Sequence, residues 1–405
     1  KIISSKSLSH RYLIAAALAK GTSYIDNVLD SDDINATKKA LESFNVVFND
    51  QAVYGGDLKV VSHQINCLES GSTLRFLIPI AMLFNQDIIF KGENRLPLRP
   101  LSVYEDMFKN TDVTYQKLTN EHLPLLVKGP LKGGVFDIPG DVSSQFITGL
   151  LFACPLMEND SEIHILGHLE SEAYMNLTLH VLDQFGIKVT RENQTLYIKG
   201  KQTFHPRSIS VEGDYSQAAF FIAAGLIGEG IVLEGLNPES LQGDKKMIDI
   251  CKQMGGDLYF DQEKRLHVKP SKTKGTTIDL SQIPDLGPIL MVLAALSEGT
   301  TTFINYERLR IKESDRIEAM MTTLKALGVH AKIIDDQIII KGVKQFTGTV
   351  TLKSFKDHRI AMAIAIASMK SNGLIKLLDA HVVSKSFPDF FKVFKRLGGH
   401  YEIIG

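Results

Sequence analysis

Eight cations sit at positions in this chain where helix capping favours acids. Lys6, Arg11, Arg75, Arg99, Lys312, Arg316, Arg359 and Lys385 each fall where a small polar cluster opens a helical run. A helix start carries unsatisfied N–H donors and about half a positive charge, so a cation there costs from a few tenths to about 1 kcal/mol. One such breach is a solvated surface charge; eight in phase point to function. Cations and helix N-termini gathered on one space bind phosphates and carboxylates. Asp285 and Glu313 stand in the same junctions. A carboxylate facing an anion repels it, so proton transfer is the reason to keep one there. Spacing alone leaves plainer readings open: Asp285 as an N-cap, Glu313 with Arg316 as an i,i+3 surface pair, Ser143 and Ser144 as a helix cap.

The elements that must place these residues repeat. Polar clusters beginning at positions 4, 70, 141, 213, 284 and 356 lie about seventy residues apart. Each opens an apolar run, such as LSHRYLIAAALAKG or IAMAIAIASM, followed by a turn and a short β-type run. A second junction recurs in phase, at 30–33, 98–101, 170–173, 241–244, 312–315 and 385–388. The helices it opens are amphipathic, as in MIDICKQMGG (247–256) and IEAMMTTLKALGV (317–329). Each unit therefore reads as strand, buried helix, strand, amphipathic helix and a closing pair of strands. The whole is an α/β chain of six βαβαββ units with twelve helix starts.

At 405 residues, 44% hydrophobic and 22% charged, the chain has the composition of a globular protein of two domains. Its net charge of −1 gives no ground for a nucleic-acid or membrane partner. Cys67, Cys154 and Cys251 are odd in number and outside any CxxC, which suits a reducing compartment, and the expected location is cytoplasmic. The histidines form no HExxH or Cys/His spacing, so no metal is inferred, and no cofactor is expected. Lys1 and Lys6 before LIAAALA faintly imitate a secretory signal, but the same helix recurs five more times inside the chain. No apolar run approaches the ~20 residues of a membrane span. Lys1-Ile2-Ile3 reads as the middle of a strand, so a short preceding stretch is expected.

The junctions SSKSLSHR (4–11), SGSTLRF (70–76), LRPL (98–101), DVSSQF (141–146), IPDLGP (283–288), IKESDRI (311–317), KDHRIAM (356–362) and SKSFPDFF (384–391) form a series. In residues and order this series resembles that of the EPSP synthase family. The resemblance implies a two-domain inside-out α/β barrel, the enolpyruvyl transferase fold. Residues 5–212 would form one domain and 213–405 the second, with 1–4 pairing into the latter and the site in the cleft. It implies transfer of the enolpyruvyl group of phosphoenolpyruvate to the 5-hydroxyl of shikimate 3-phosphate, with no cofactor, in a monomer that glyphosate inhibits.

Carried over residue by residue, the resemblance makes Asp285, Lys6 and Glu313 catalytic. Apolar neighbours are expected to raise the pKa of Asp285, the base at the 5-hydroxyl, and arginine neighbours to lower that of Lys6. Shikimate 3-phosphate would be held by Lys6, Ser7, Arg11, Ser143, Ser144, Gln145, Ser171, Tyr174, Asp285 and Lys312. Phosphoenolpyruvate would be held by Lys6, Gly71, Arg99, Gln145, Arg316, Arg359 and Lys385, whose guanidinium forks suit phosphate and carboxylate. Glu69 and Arg308 stand where many members carry Asn, and neither is assigned a contact. The sister transferase acting on UDP-N-acetylglucosamine uses a loop cysteine in its second unit, and residues 91–110 contain none. A non-catalytic anion-binding module leaves Asp285 and Glu313 unexplained. A nucleotide enzyme would need a GxxxxGK[ST] or GxGxxG loop, and the sequence has neither in place.

Overall fold

The computed structural model describes residues 1–109 and 111–404. Twelve α-helices form among them. Helices α1 (Lys6–Leu18) and α2 (Asp32–Glu42) belong to the first repeat, α3 (Gly71–Ala81) and α4 (Ser102–Phe108) to the second. The third holds α5 (Ser144–Ala153) and α6 (Glu172–Gln184), and the fourth α7 (Tyr215–Ile227) and α8 (Lys246–Gln253). The last two hold α9 (Gly287–Ala295) with α10 (Arg316–Ala326), and α11 (His358–Ser368) with α12 (Phe390–Arg396). Odd-numbered helices are apolar on every side because every side is covered: Leu8 through Leu18 of α1 and Gly287 through Ala295 of α9 are all buried. The even-numbered ones bury a single stripe, as α8 does with Met247, Ile248, Ile250 and Cys251.

Each repeat hangs its helices on a small sheet. In the third, Gly134–Pro139 runs parallel to Ser161–Leu166, which pairs antiparallel with Thr195–Ile198 and through it with Val189–Glu192. The second and fifth repeats have the same four-strand order. The sheet of the first repeat takes its opening strand from far along the chain: Ser208–Ser210 lies parallel to Gly21–Asp26, with Tyr24 opposite Ser208. The sixth departs from the expected pattern, since Val350–Lys353 and Ile375–Leu378 form a parallel pair and no closing strands join them among the described residues.

The chain packs as two compact units, Ser4–Glu212, and Lys1–Ile3 with everything from Gly213 on. Backbone bonds secure the segments where it passes from one to the other. Ile2 N–H donates to Glu234 C=O at 2.8 Å and Asp214 N–H to Ile3 C=O at 2.9 Å, while Ser5 N–H donates to Glu212 C=O at 2.8 Å. In the unit Ser4–Glu212, α3 and α5 pack closely because α5 presents Gly149. A methyl there would lie 2.3 Å from both the Arg75 carbonyl oxygen and the Tyr104 hydroxyl. That hydroxyl lies 2.7 Å from the Arg75 carbonyl and 3.0 Å from that of Phe146, tying α4 to both helices. Gly149→Ala is therefore expected to lower unfolding free energy by about 1–3 kcal/mol, the usual cost of overpacking. Urea unfolding measures it, and unchanged stability would mean that the helices separate freely.

Candidate active site

In the unit Ser4–Glu212 the helix starts carry the candidate residues. Ser5 caps α1, its hydroxyl accepting from Leu8 N–H, and Lys6 follows at the first helical position. The Lys6 ammonium meets the Asp33 carboxylate of α2 at 2.6 Å. Arg11, one helical turn on, is buried and largely committed to the protein. Its Nε donates to Thr178 Oγ1 at 2.9 Å, Nη1 to Ser7 C=O at 2.9 Å, and Nη2 to Tyr174 C=O at 3.0 Å and Thr148 Oγ1 at 3.4 Å. Burial lowers the Arg11 guanidinium to about 10. Ser171 sits at the N-cap of α6 with φ 54°, the left-handed region, and its side chain does not cap the helix. Non-glycine residues in that region are uncommon and gather at functional sites.

Around α3 the backbone and two guanidinium groups crowd together. Ser70 caps the helix by accepting from Thr73 N–H at 3.2 Å. A methyl on Gly71 would lie 2.6 Å from Arg99 Nη1 and 2.8 Å from Arg75 Nη1, so the glycine leaves room for both. Arg75 also donates to Gln145 Oε1 and to Pro100 C=O, both at 2.9 Å, and Gln145 Nε2 donates to Ser72 Oγ at 2.9 Å. Ser143 caps α5 by accepting from Gln145 N–H, and Ser144 is the first, buried residue of that helix.

In the other unit the charges interlock. Asp285 lies in the turn Pro284–Leu286 just before α9. It accepts from Arg316 Nη1 at 2.8 Å and Arg359 Nη2 at 3.1 Å, and Lys312 Nζ stands 3.7 Å away. Arg316, only 1% exposed at its side chain, also donates to Glu313 Oε2 and to Asp357 Oδ2, each at 2.8 Å. Asp357 is fully buried and caps α11 by accepting from Arg359 N–H at 2.9 Å, while Ser314 Oγ donates to it at 3.0 Å. Lys385 is buried, with Nζ donating to Lys356 C=O at 3.0 Å. Burial lowers the Lys312 ammonium to about 8 against the pull of Asp285, with Arg308 and Arg316 adding to the fall.

Against this geometry stand the relatives. A family model described as EPSP synthase (3-phosphoshikimate 1-carboxyvinyltransferase) matches residues 1–394. The chain belongs to the EPSP synthase family. The 3-phosphoshikimate 1-carboxyvinyltransferase of Clostridium novyi is 44% identical over 98% of this chain and 94% of its own length, and that of Clostridium kluyveri 44% over 99% and 95%. A solved EPSP synthase from Acinetobacter baumannii superposes with a TM-score of 0.83 at 28% identity, over 100% of this chain and 96% of that one. The enolpyruvyl transferase NikO from Streptomyces tendae, 15% identical over 98% and 94%, shares the fold at a TM-score of 0.77.

One electrostatic expectation of the family reading is overturned. Burial does push the Asp285 carboxyl up, but Arg359, Lys312 and Arg316 outweigh it and hold the group well below the usual carboxylate range. Its sequence neighbours are apolar; its spatial neighbours are cations. Nor is it a cap, because its oxygens face guanidinium groups and α9 starts without a side-chain cap. Lys6 meets the Asp33 carboxylate, and burial weakens the proton affinity of Lys312. Glu313 and Arg316 form no surface pair, for Arg316 is buried. The structure adds residues that the sequence reading passed over: Asp33, Asp357, and Arg75 as a support of Gln145. The signal for Asp357 was present in DHR (357–359), a cap residue two positions before Arg359.

Asp357 also sets a pH dependence. Although burial pushes it up, Arg316 and its hydrogen bonds leave its folded pKa below the ordinary value. A depressed carboxylate contributes stability above its unfolded pKa of about 4, and that contribution is lost as pH falls through the folded value. Asp357→Asn is expected to cost about 1–3 kcal/mol at pH 7 by replacing with a neutral amide one of the three carboxylates that Arg316 meets, and to make acid destabilisation below about pH 4 shallower than in the parent. Urea titrations at pH 7 and pH 3 test both, and an unchanged pH slope would remove Asp357 from the acid transition.

Proposed function

We propose that the chain transfers the enolpyruvyl group of phosphoenolpyruvate to the 5-hydroxyl of shikimate 3-phosphate, releasing phosphate. Membership of the family supports the reaction; the arrangement of Asp285, Glu313 and Lys312 around Arg316 and Arg359 supports the assignment of roles. In the addition step the 5-hydroxyl oxygen bonds to the enol carbon of phosphoenolpyruvate, its proton passes to a base, and the methylene carbon takes up a proton. In elimination the methyl group formed gives a proton back and the C–O bond to phosphate breaks.

Asp285 is assigned as the base. With Arg316 and Arg359 clasping it, the carboxylate is ionised but weakly basic. Phosphate and carboxylate groups of the substrates compete for those same guanidinium groups. A guanidinium drawn away from Asp285 toward a substrate returns basicity to the carboxylate, so the base is strengthened when its substrates are bound. Glu313, on the same arginine, is assigned proton exchange at the methylene carbon. Lys6 is retained as a donor touching both substrates, and Lys312, poised near neutral pH, joins it on shikimate 3-phosphate. Ser7, Ser143, Ser144, Ser171 and Tyr174 bind that substrate too, with Arg11 acting mainly by fixing the backbone at Ser7 and Tyr174. Arg99, Arg316, Arg359, Lys385 and Gly71 bind phosphoenolpyruvate, and Gln145 meets both. No helix among the described residues is long and apolar enough to cross a membrane. We place the reaction in the cytoplasm on the support of three buried free cysteines suited to a reducing compartment, and, on the family resemblance, in a monomer.

The deciding experiment mixes purified protein with both substrates and follows phosphate release and product mass. Turnover is expected with shikimate 3-phosphate; turnover only with UDP-N-acetylglucosamine would overturn the reading. Asp285→Asn should lower kcat by about 10²-fold or more with little change in the KM for shikimate 3-phosphate, because a base acts in the transition state. Near-normal kcat would acquit Asp285. Gly71→Ala should leave the protein folded, since the methyl displaces only the ends of long side chains. Because one of these is Arg99, the KM for phosphoenolpyruvate should rise, and the inhibition constant of the longer competitor glyphosate should rise further. An unchanged KM would separate Gly71 and Arg99 from the phosphoenolpyruvate site.

A further inference from the structure

Buried inside the apolar helix α1 is His10, a residue with no part in the reaction as assigned. It is 1% exposed, edge-on to Phe76, and its Nδ1 lies 2.8 Å from Thr37 Oγ1 of α2. Thr37 Oγ1 lies 2.6 Å from Thr73 Oγ1 of α3, which lies 2.7 Å from Ser70 Oγ, the cap of α3. Ser70 in turn accepts the Thr73 backbone N–H at 3.2 Å. Hydrogen bonds thus run without a break from α1 through α2 to the residue before Gly71.

The chain of bonds has a direction. Each hydroxyl has one proton to give. If Thr73 gives its proton to Ser70, Thr37 must supply the proton between the two threonines, and His10 Nδ1 must supply the one to Thr37. The competing acceptor is Asp33 C=O, farther off at 3.4 Å from Thr37 and 3.5 Å from Thr73. His10 Nε2 is buried without a hydrogen-bond partner among the described residues. In the Nδ1–H tautomer that orphan is an acceptor; in the other it would be a buried N–H, the rarer and costlier defect. Burial, with Lys6 and Arg11 nearby, holds His10 well below the usual histidine range, so the ring stays neutral.

We infer that His10 is a positioning residue for the anion site at the start of α3: locked as the Nδ1–H tautomer, it drives a one-way chain through Thr37 and Thr73 that fixes Ser70. The inference rests on the proposed binding of phosphoenolpyruvate beside Gly71. Its consequence is chemical as well as steric. Ser70 receives two hydrogen bonds, from Thr73 N–H and Thr73 O–H, so its own O–H remains as a donor at a helix start already flanked by Arg75 and Arg99.

Nitrogen NMR of the whole protein tests the tautomer without any substrate. His10 should show a protonated Nδ1 and an unprotonated Nε2, unchanged down to about pH 5, below the ordinary histidine range. A protonated Nε2 would overturn the inference. Thr37→Val keeps the shape and cuts the chain; the KM for phosphoenolpyruvate should rise about three- to tenfold, the worth of one hydrogen bond, while that for shikimate 3-phosphate changes less than about twofold. His10→Asn, which retains a donor near Nδ1, should fall closer to the parent than His10→Leu. Equal rises in both constants, or no difference between Asn and Leu, would show His10 to be packing alone. Absence of turnover in the parent would instead reject the proposed reaction, and the tautomer would then decide the hydrogen-bond chain alone.

Discussion

The ion pair between Arg316 and Asp357 holds in place the candidate residues of the unit that runs from Gly213 on. Both side chains are buried, and neither is tolerable alone: an unpaired buried charge costs several kcal/mol. Asp357 is at once a countercharge and the cap of α11, so the helix start and the guanidinium are located by one carboxylate. From its fixed position Arg316 extends its remaining N–H groups to Asp285 and Glu313. A lysine could neutralise Asp357 but could not reach three carboxylates with a planar fork. Buried pairs of this kind contribute little net stability compared with apolar packing. What this one secures is direction, with two candidate proton-transfer groups set on one guanidinium.

The unit Ser4–Glu212 solves the corresponding problem with less charge. There the fixed point is close backbone approach. Gly149 lets α3 and α5 meet at the Arg75 carbonyl, and Gly71 admits the Arg75 and Arg99 side chains to the start of α3. Arg75 then orients the Gln145 amide, because a carbonyl oxygen facing a guanidinium leaves the amide nitrogen to face Ser72. Packing thus decides a hydrogen-bond pattern, and the hydrogen-bond pattern decides which polar atoms remain for a ligand.

Features of local origin were legible in the sequence. Six polar clusters in phase gave the helices, because a cap and an apolar run act over a few residues. What spans distance left no mark. Nothing local to Gly21–Asp26 says that its parallel partner is Ser208–Ser210. The closing strands of the sixth repeat were expected from the period alone, and none joins its parallel pair among the described residues. The acidity of Asp285 was misjudged for the same reason. Ile283, Pro284, Leu286 and Gly287 surround it in sequence, whereas Arg316 and Arg359, from later in the chain, surround it in space. Lys6 likewise meets Asp33, whose position in the chain gives no hint of their pairing.

The charge arrangement around Asp285 bears on how an anion site avoids collapsing on itself. Arg316, Arg359 and Lys312 would repel one another in a buried space, and Lys312 already loses proton affinity there. Asp285, Glu313 and Asp357 offset that repulsion with the carboxylates of the protein itself. On the proposed function, substrate anions entering such a site exchange with these internal partners and face no bare cluster of cations. Exchange costs less than fresh desolvation, because one ionic interaction replaces another. It also couples binding to proton affinity: cations drawn toward a ligand leave Asp285 more basic, and an added anion near Lys312 favours its charged form. On the proposed roles, Asp285 and Glu313, which oppose anion binding, are the groups that binding prepares to take up protons.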